Sequence, residues 1–310
     1  MSSRRLKAGV AGAGVFGGHH ARKYAGSPDV ELAGVYDRGT GRALKLADDL
    51  GVPGYVDLNA FLDEVDVLTI AAPAQAHFRL AAAAIDAGVH VYCEKPLAVS
   101  LEHAATLTRR AAEAGLVLAC GHQERAVFAA MGLFSVPERP TRIEAVRRNT
   151  FSGRNMDVSV VLDLMIHDLD LALALGADGP LSVSAEGAIT RDAGLDRCRA
   201  ELTLGSAAVV LDADRDAAAR DRTMRLVYPS GVVEVDFLQR TFRNDAGLPL
   251  DPDFADTPQG RDPLGASVFA FLAAVRDDAE RPLVTGAEAR DALALALAVQ
   301  SAAEFQFLRS

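Results

Sequence analysis

The 310-residue sequence predicts an α/β domain with a parallel sheet, followed by an α+β domain with a mainly antiparallel sheet. Three observations carry this expectation. Strand-like and helix-like stretches alternate from residue 6 to about residue 120. Beyond that point strand-like stretches follow one another, with a single helical stretch among them. A glycine-rich loop, Gly12-Ala13-Gly14-Val15-Phe16-Gly17, stands at the first strand-to-helix junction. Parallel strands need long crossovers, which helices supply; strands joined without helices pair antiparallel.

The first half reads in order as strand 6–10, helix 15–25, strand 30–36, helix 41–50, strand 65–71, helix 77–87, strand 89–93, helix 101–114 and strand 117–120. The strand at 89–93 runs into Glu94-Lys95-Pro96. Proline has no N–H for a strand ladder and disfavours a helical predecessor, so Lys95 sits where the strand stops and the chain turns. In an open α/β sheet the carboxyl ends of strands are where ligands bind. The second half reads as strands 142–149, 182–190, 199–204, 207–213, 223–228 and 231–237, the last two joined by the turn Tyr228-Pro229-Ser230-Gly231. One helix, 160–175, lies among them, residues 244–263 read as a loop, and 266–277 and 287–307 read as closing helices. The boundary falls near 121–125, which gives domains 1–122 and 123–310, with closing helices able to pack back on the first.

Composition narrows the function. A formal net charge of −10 argues against a nucleic-acid surface, which needs clustered Lys and Arg. Cys93, Cys120 and Cys198 form no CxxC pair and no zinc pattern, so they read as free thiols of a reducing compartment, the cytoplasm. Arg4-Arg5 before an apolar stretch resembles a twin-arginine leader, but no A-x-A-like cleavage site follows and cleavage would delete the glycine loop. No apolar run reaches 18 residues, so no membrane span is expected.

The loop Gly12 to Gly17 is G-x-G-x-x-G between a strand and a helix, and Asp37 ends the next strand 20 residues after Gly17. That is the dinucleotide fingerprint in its required context. Gly12 permits the tight turn, Gly14 the approach of the pyrophosphate, and Gly17 close helix–strand packing. The helix start at Val15 and Phe16 offers N–H groups and partial positive charge to phosphate. The Asp37 carboxylate suits ribose hydroxyls and repels a 2′-phosphate, which favours NAD over NADP. Neighbouring Arg38 could pair with such a phosphate or stack on adenine.

The helix at 160–175 carries Asp163-Leu164-Met165-Ile166-His167-Asp168-Leu169-Asp170. Asp163 and His167 stand at i and i+4 on one face among apolar neighbours. Such a pair is a buried ion pair, a satisfied core histidine, or a site in use. A metal needs three or four converging ligands, and no second cluster is evident, so none is expected. Oxidising a secondary alcohol requires hydride loss from carbon and proton loss from oxygen. An imidazole with a pKa of about 6.5 suits that proton, and a lysine ammonium favours the developing alkoxide.

The glycine loop, Pro73 with His77 before Gly88-Val89-His90-Val91, Glu94-Lys95-Pro96 and Asp163-x-x-x-His167 occur together and in order. This set resembles the glucose-fructose oxidoreductase / inositol dehydrogenase (Gfo/Idh/MocA) family over essentially the whole chain. The resemblance implies a Rossmann domain, then an α+β substrate-binding domain whose open antiparallel sheet packs face to face in homodimers or homotetramers. It implies that Lys95, His167 and Asp163 are catalytic, with His167 the general base. It implies that Ala72, Pro73, His77, Glu94 and Lys95 line the cofactor. Residues 157–164 and Gly121-His122-Gln123-Glu124-Arg125 look most like the nucleotide-sugar branch, which includes UDP-N-acetylglucosamine 3-dehydrogenases, although Ala126 stands where that branch often has Phe. Gln123, Arg154 and Asn155 are the expected substrate contacts, and Arg147 and Arg148 are further arginines that could meet a pyrophosphate. A free-sugar or polyol dehydrogenase is the alternative within the class; a non-turning-over NAD/sugar-binding regulator is the alternative outside it.

Overall fold

The computed structural model describes residues 5–153, 155–176, 180–191 and 194–307. They form two compact units: residues up to Gly121 with Ser267–Arg290, and His122–Ala266 with Asp291 onward.

The first unit runs β1 (Leu6–Ala11), α1 (Val15–Ala25), β2 (Val30–Tyr36), α2 (Thr40–Leu50), β3 (Gly54–Tyr55), α3 (Leu58–Leu62), β4 (Val67–Ile70), α4 (Ala74–Asp86), β5 (His90–Cys93), α5 (Leu101–Glu113) and β6 (Leu118–Cys120). The sheet order is β3-β2-β1-β4-β5-β6, and every pairing is parallel. Val10, Val35, Leu68, Ile70 and Val91 are fully buried, as expected where helices cover both faces. The order reverses between β1 and β4, which opens a crevice at their carboxyl ends. The segment 267–290 belongs to this unit through the Tyr92 hydroxyl, which donates to Ser267 Oγ at 3.0 Å, and through a bridge pairing Ala119 with Thr285.

The second unit runs α6 (Glu124–Met131), β7 (Arg142–Arg148), α7 (Ile166–Ala174), β8 (Pro180–Ala188), β9 (Arg197–Leu204), β10 (Ala207–Asp214), β11 (Asp221–Tyr228), β12 (Gly231–Asp236), β13 (Thr241–Asn244) and α8 (Pro258–Arg261). α9 (Pro263–Val275) and α10 (Gly286–Phe307) each carry the chain from one unit into the other. The seven strands order as β13-β12-β11-β7-β10-β9-β8. All pairs are antiparallel except β7 with β10. Alternation is strict: Ile143, Ala145 and Arg147 are buried on one face of β7, as are Cys198, Ala200, Leu202 and Leu204 on β9. The other face carries cross-strand ion pairs, Arg225 with Glu144 at 3.2 Å and Arg243 with Glu234 at 3.1 Å.

The structure adds elements the sequence reading lacks. β3 is two residues long, too short for a periodic signal. α6 begins at the expected boundary and buries Arg125 in its first turn, so its face does not read as apolar. β7 pairs in parallel with β10 because the chain from β7 to β10 crosses over through α7, β8 and β9.

Candidate active site

The glycine loop is forced by close approach. A Cβ on Gly17 would lie 1.7 Å from Gly12 O, and Gly12, at φ +108°, would place one 2.4 Å from Ala71 O. Gly14 is the N-cap of α1 and offers no side chain to its first N–H groups, so these are open to an anion. Val15 and Phe16 beside it are exposed. Asp37 follows β2 and ties the loop down: Oδ2 accepts from the Ala13 N–H at 2.9 Å and Oδ1 from the Gly39 N–H at 2.9 Å. A carboxylate has about four acceptor positions, so two remain for hydroxyls. Arg38 is exposed. This loop, uncapped helix and carboxylate fit a dinucleotide.

Glu94, Lys95 and Pro96 follow β5, as the proline requires. Glu94 is buried, and its Oε1 lies 2.8 Å from His20 Nε2 on α1. Burial alone would raise the Glu94 pKa; the His20 bond and charge, then Lys95 and His77, overcome this and lower it. A Cβ on Gly121 would meet that carboxylate at 2.8 Å. His77 spans two loops, with Nδ1 2.7 Å from Pro96 O and Nε2 2.8 Å from Ala72 O. It therefore ties the Ala72-Pro73 turn after β4 to the turn after β5. Lys95 is half-buried at the strand end.

In the second unit a π-helical turn, Val161–Met165, precedes α7, and Asp163 lies in it. Such turns are rare and recur at functional sites. Asn155, held at φ +53°, donates through Nδ2 to Asp163 Oδ1 at 2.7 Å. Arg215, buried after β10, donates to Val158 O at 2.7 Å and Asn155 O at 3.2 Å, while its Nε donates to Asp196 Oδ1 at 2.8 Å. The carboxylate beside the catalytic candidate His167 is that of Glu124: Oε2 lies 2.6 Å from His167 Nδ1, off the ring N–H axis. The other Glu124 oxygen accepts from Arg147 Nη1 at 2.8 Å, and Arg147 also grips Asp168 bidentately at 2.9 and 2.7 Å. Burial alone would raise the Glu124 pKa; the charges of His167 and Arg147 hold it well below the usual carboxylate range. Arg125 grips Asp170 in the same bidentate way, at 2.8 and 2.7 Å. His122 is fully buried 5.9 Å from the His167 ring, and burial pushes its pKa down to about 4.

These contacts correct one expectation. Arg147 is 1% exposed, and its guanidinium is taken up by Asp168 and Glu124, so it does not meet a substrate pyrophosphate. Arg148 pairs with Asp212 at 3.1 Å. Gln123 is half-buried immediately before α6, and Arg154 lies outside the described residues. The sequence reading assigned no role to His20, Glu124, Asp168, Asp170, Asp196 or Arg215. Glu124 was visible only within a resemblance, because nothing in its local spacing points to a residue 43 positions away. Among the described residues no group of three His, Cys, Asp or Glu side chains converges as a metal site, and no helix is long and apolar enough to cross a membrane.

A dinucleotide fingerprint at a sheet switch point, joined in one chain to a histidine–carboxylate site on an α+β unit, defines an NAD-binding oxidoreductase. Residues 6–122 match the family model described as the oxidoreductase family, NAD-binding Rossmann fold. The chain is 37% identical to the UDP-N-acetylglucosamine 3-dehydrogenase of Acidithiobacillus ferrooxidans, covering 96% of this chain and 97% of that one. A solved structure of that enzyme matches at a TM-score of 0.87 and 35% identity, covering 97% and 98% of the two chains. GenD2 from gentamicin A biosynthesis, solved in complex with NAD, shares the fold at a TM-score of 0.82 and 24% identity, with 98% and 95% coverage. The chain belongs to the Gfo/Idh/MocA oxidoreductase family.

Proposed function

We propose that the protein oxidises a secondary hydroxyl of a nucleotide sugar with NAD, and that the substrate is UDP-N-acetylglucosamine, converted to its 3-keto sugar. The observation that carries the reading is the 37% identity to a UDP-N-acetylglucosamine 3-dehydrogenase along 96% of the chain. The chemistry of the site agrees with it. Gly12, Gly14, Val15, Phe16 and Gly17 bind the pyrophosphate through backbone N–H groups. Asp37 takes the adenine ribose hydroxyls, which selects NAD over NADP, and Arg38 stacks beside the adenine. Ala72, Pro73, His77 and Glu94 line the nicotinamide end. When bound, NAD supplies the hydride acceptor. His167 takes the hydroxyl proton, and the Lys95 ammonium stabilises the alkoxide character of the reacting oxygen. Asp163, oriented by Asn155, accepts from a neighbouring sugar hydroxyl. Gln123, Arg154 and Asn155 contact the remainder of the substrate.

The buried free cysteines suit the reducing cytoplasm. The ion-paired outer face of the seven-stranded sheet is the surface through which we infer a homodimer or homotetramer.

The test is NADH formation from NAD across a panel of sugars. UDP-N-acetylglucosamine should be turned over with the highest kcat/KM. Turnover of free inositol or glucose, with none of any nucleotide sugar, would replace this reading with a polyol or free-sugar dehydrogenase.

A further inference from the structure

We propose that Glu124 is the positioning residue for His167: its carboxylate, 2.6 Å from Nδ1, holds that edge of the ring and leaves Nε2 as the nitrogen that takes the hydroxyl proton. The proposal rests on the reading of His167 as the base. The obvious partner in sequence is Asp163, four residues back on the same helix, but its carboxylate accepts from Asn155. Glu124 Oε2 is the oxygen 2.6 Å from His167 Nδ1.

The carboxylate is held from behind. Arg147 on β7 binds its other oxygen and is itself fixed bidentately by Asp168 on α7. Three elements therefore converge on one guanidinium, and Glu124 has little freedom to turn away. The carboxylate is ionised where it meets the ring: the charges of His167 and Arg147 hold its pKa well below the usual carboxylate range against the effect of burial.

The other ionisable neighbours do not offer this contact. Asp170 is neutralised by Arg125. His122 is uncharged at neutral pH, because burial lowers its pKa to about 4. Arg222 on β11 is a cation whose own pKa is lowered by burial and by Arg147, and it offers the ring no acceptor. Asp163 is the remaining carboxylate, on His167's own helix, and is the competitor in the test.

The experiment is a side-chain 15N NMR measurement of the neutral His167 ring in the full-length protein, assigned by the His167→Gln variant. In the wild type the ring should show a protonated Nδ1 and an unprotonated Nε2. Glu124→Gln should mix the two tautomers. Glu124→Asp, which keeps the carboxylate, should restore the wild-type pattern in part. Asp163→Asn should disturb it less than Glu124→Gln does. In turnover, Glu124→Gln should lower kcat on the order of 100-fold with a smaller effect on KM. Should Glu124→Gln misfold, the Glu124→Asp and Asp163→Asn spectra still decide the question. An unchanged tautomer in the Glu124 variants, or a larger change in Asp163→Asn, overturns the proposal. The measurement needs no substrate, so a failed sugar panel would contradict the functional reading and leave this result standing by itself.

Discussion

His122 shows how burial can dominate the charge state of a residue. Its ring is fully buried, and neither nitrogen finds a hydrogen-bond partner among the described residues; Asp170 stands 4.0 Å away. Its pKa falls to about 4, against about 6.5 for an unfolded chain. Between those values the unfolded chain binds a proton that the folded one refuses, so stability drops as pH falls from about 6.5 to about 4. The expected loss from this group between pH 7.5 and pH 4.5 is on the order of 2 kcal/mol. Urea denaturation of wild type and His122→Gln at the two pH values measures it: the variant should lose less than the wild type by about that amount. Equal losses would mean that the ring is hydrated or already charged. At this scale the sequence was legible in part. Asp163, His167 and Asn155 stood out as polar residues in and before an apolar helix. Their partners did not, because a bidentate pair such as Arg147 with Asp168 joins residues 21 positions apart and leaves no local pattern.

At the scale of elements, the segment before α7 is held by a clamp. Arg215 reaches from the end of β10 to two carbonyls of residues 155–158, and Asp196 anchors it from the other side. The π-turn that follows places Asp163 against Asn155, whose left-handed φ of +53° is one that side chains adopt at a cost. Arg215→Ala should therefore act beyond its own contacts. It removes a buried cation from Asp196 and should destabilise the fold by about 3 kcal/mol. It should also raise KM for the sugar with a smaller effect on kcat, because it frees Asn155 and leaves His167 on its helix. Thermal melts and steady-state kinetics on one preparation test both halves; a lowered kcat with unchanged KM would contradict the clamp. Apart from β3 and α3, the alternation of strands and helices in the first unit was legible because the elements are long enough for their periods to show. α6 was not, since eight residues with a buried arginine look like a loop until Asp170 is seen to neutralise that arginine.

For the whole molecule, the sequence announces two folding units but not how the chain is shared between them. The expected division was a cut after residue 122, with closing helices able to pack back on the first domain. The observed units pass the chain across three times, because Ser267–Arg290 joins the first. Ser267 and Phe271 give the reason: they meet Tyr92 at the end of a strand read 175 residues earlier. Helical periodicity says that such a segment has an apolar face and is silent about which unit covers it. The same division assigns the proposed chemistry to two sets of residues, Lys95 with the dinucleotide loop and His167 with its carboxylate. The account's central claim is that both sets serve one oxidation. The direct measurement is NADH formation from UDP-N-acetylglucosamine by wild type, Lys95→Ala and His167→Ala, with NAD affinity determined for each. The account predicts turnover by the wild type, retained NAD binding in both variants, and a fall in rate on the order of 100-fold or more in each. Wild-type turnover that survives either substitution would contradict it.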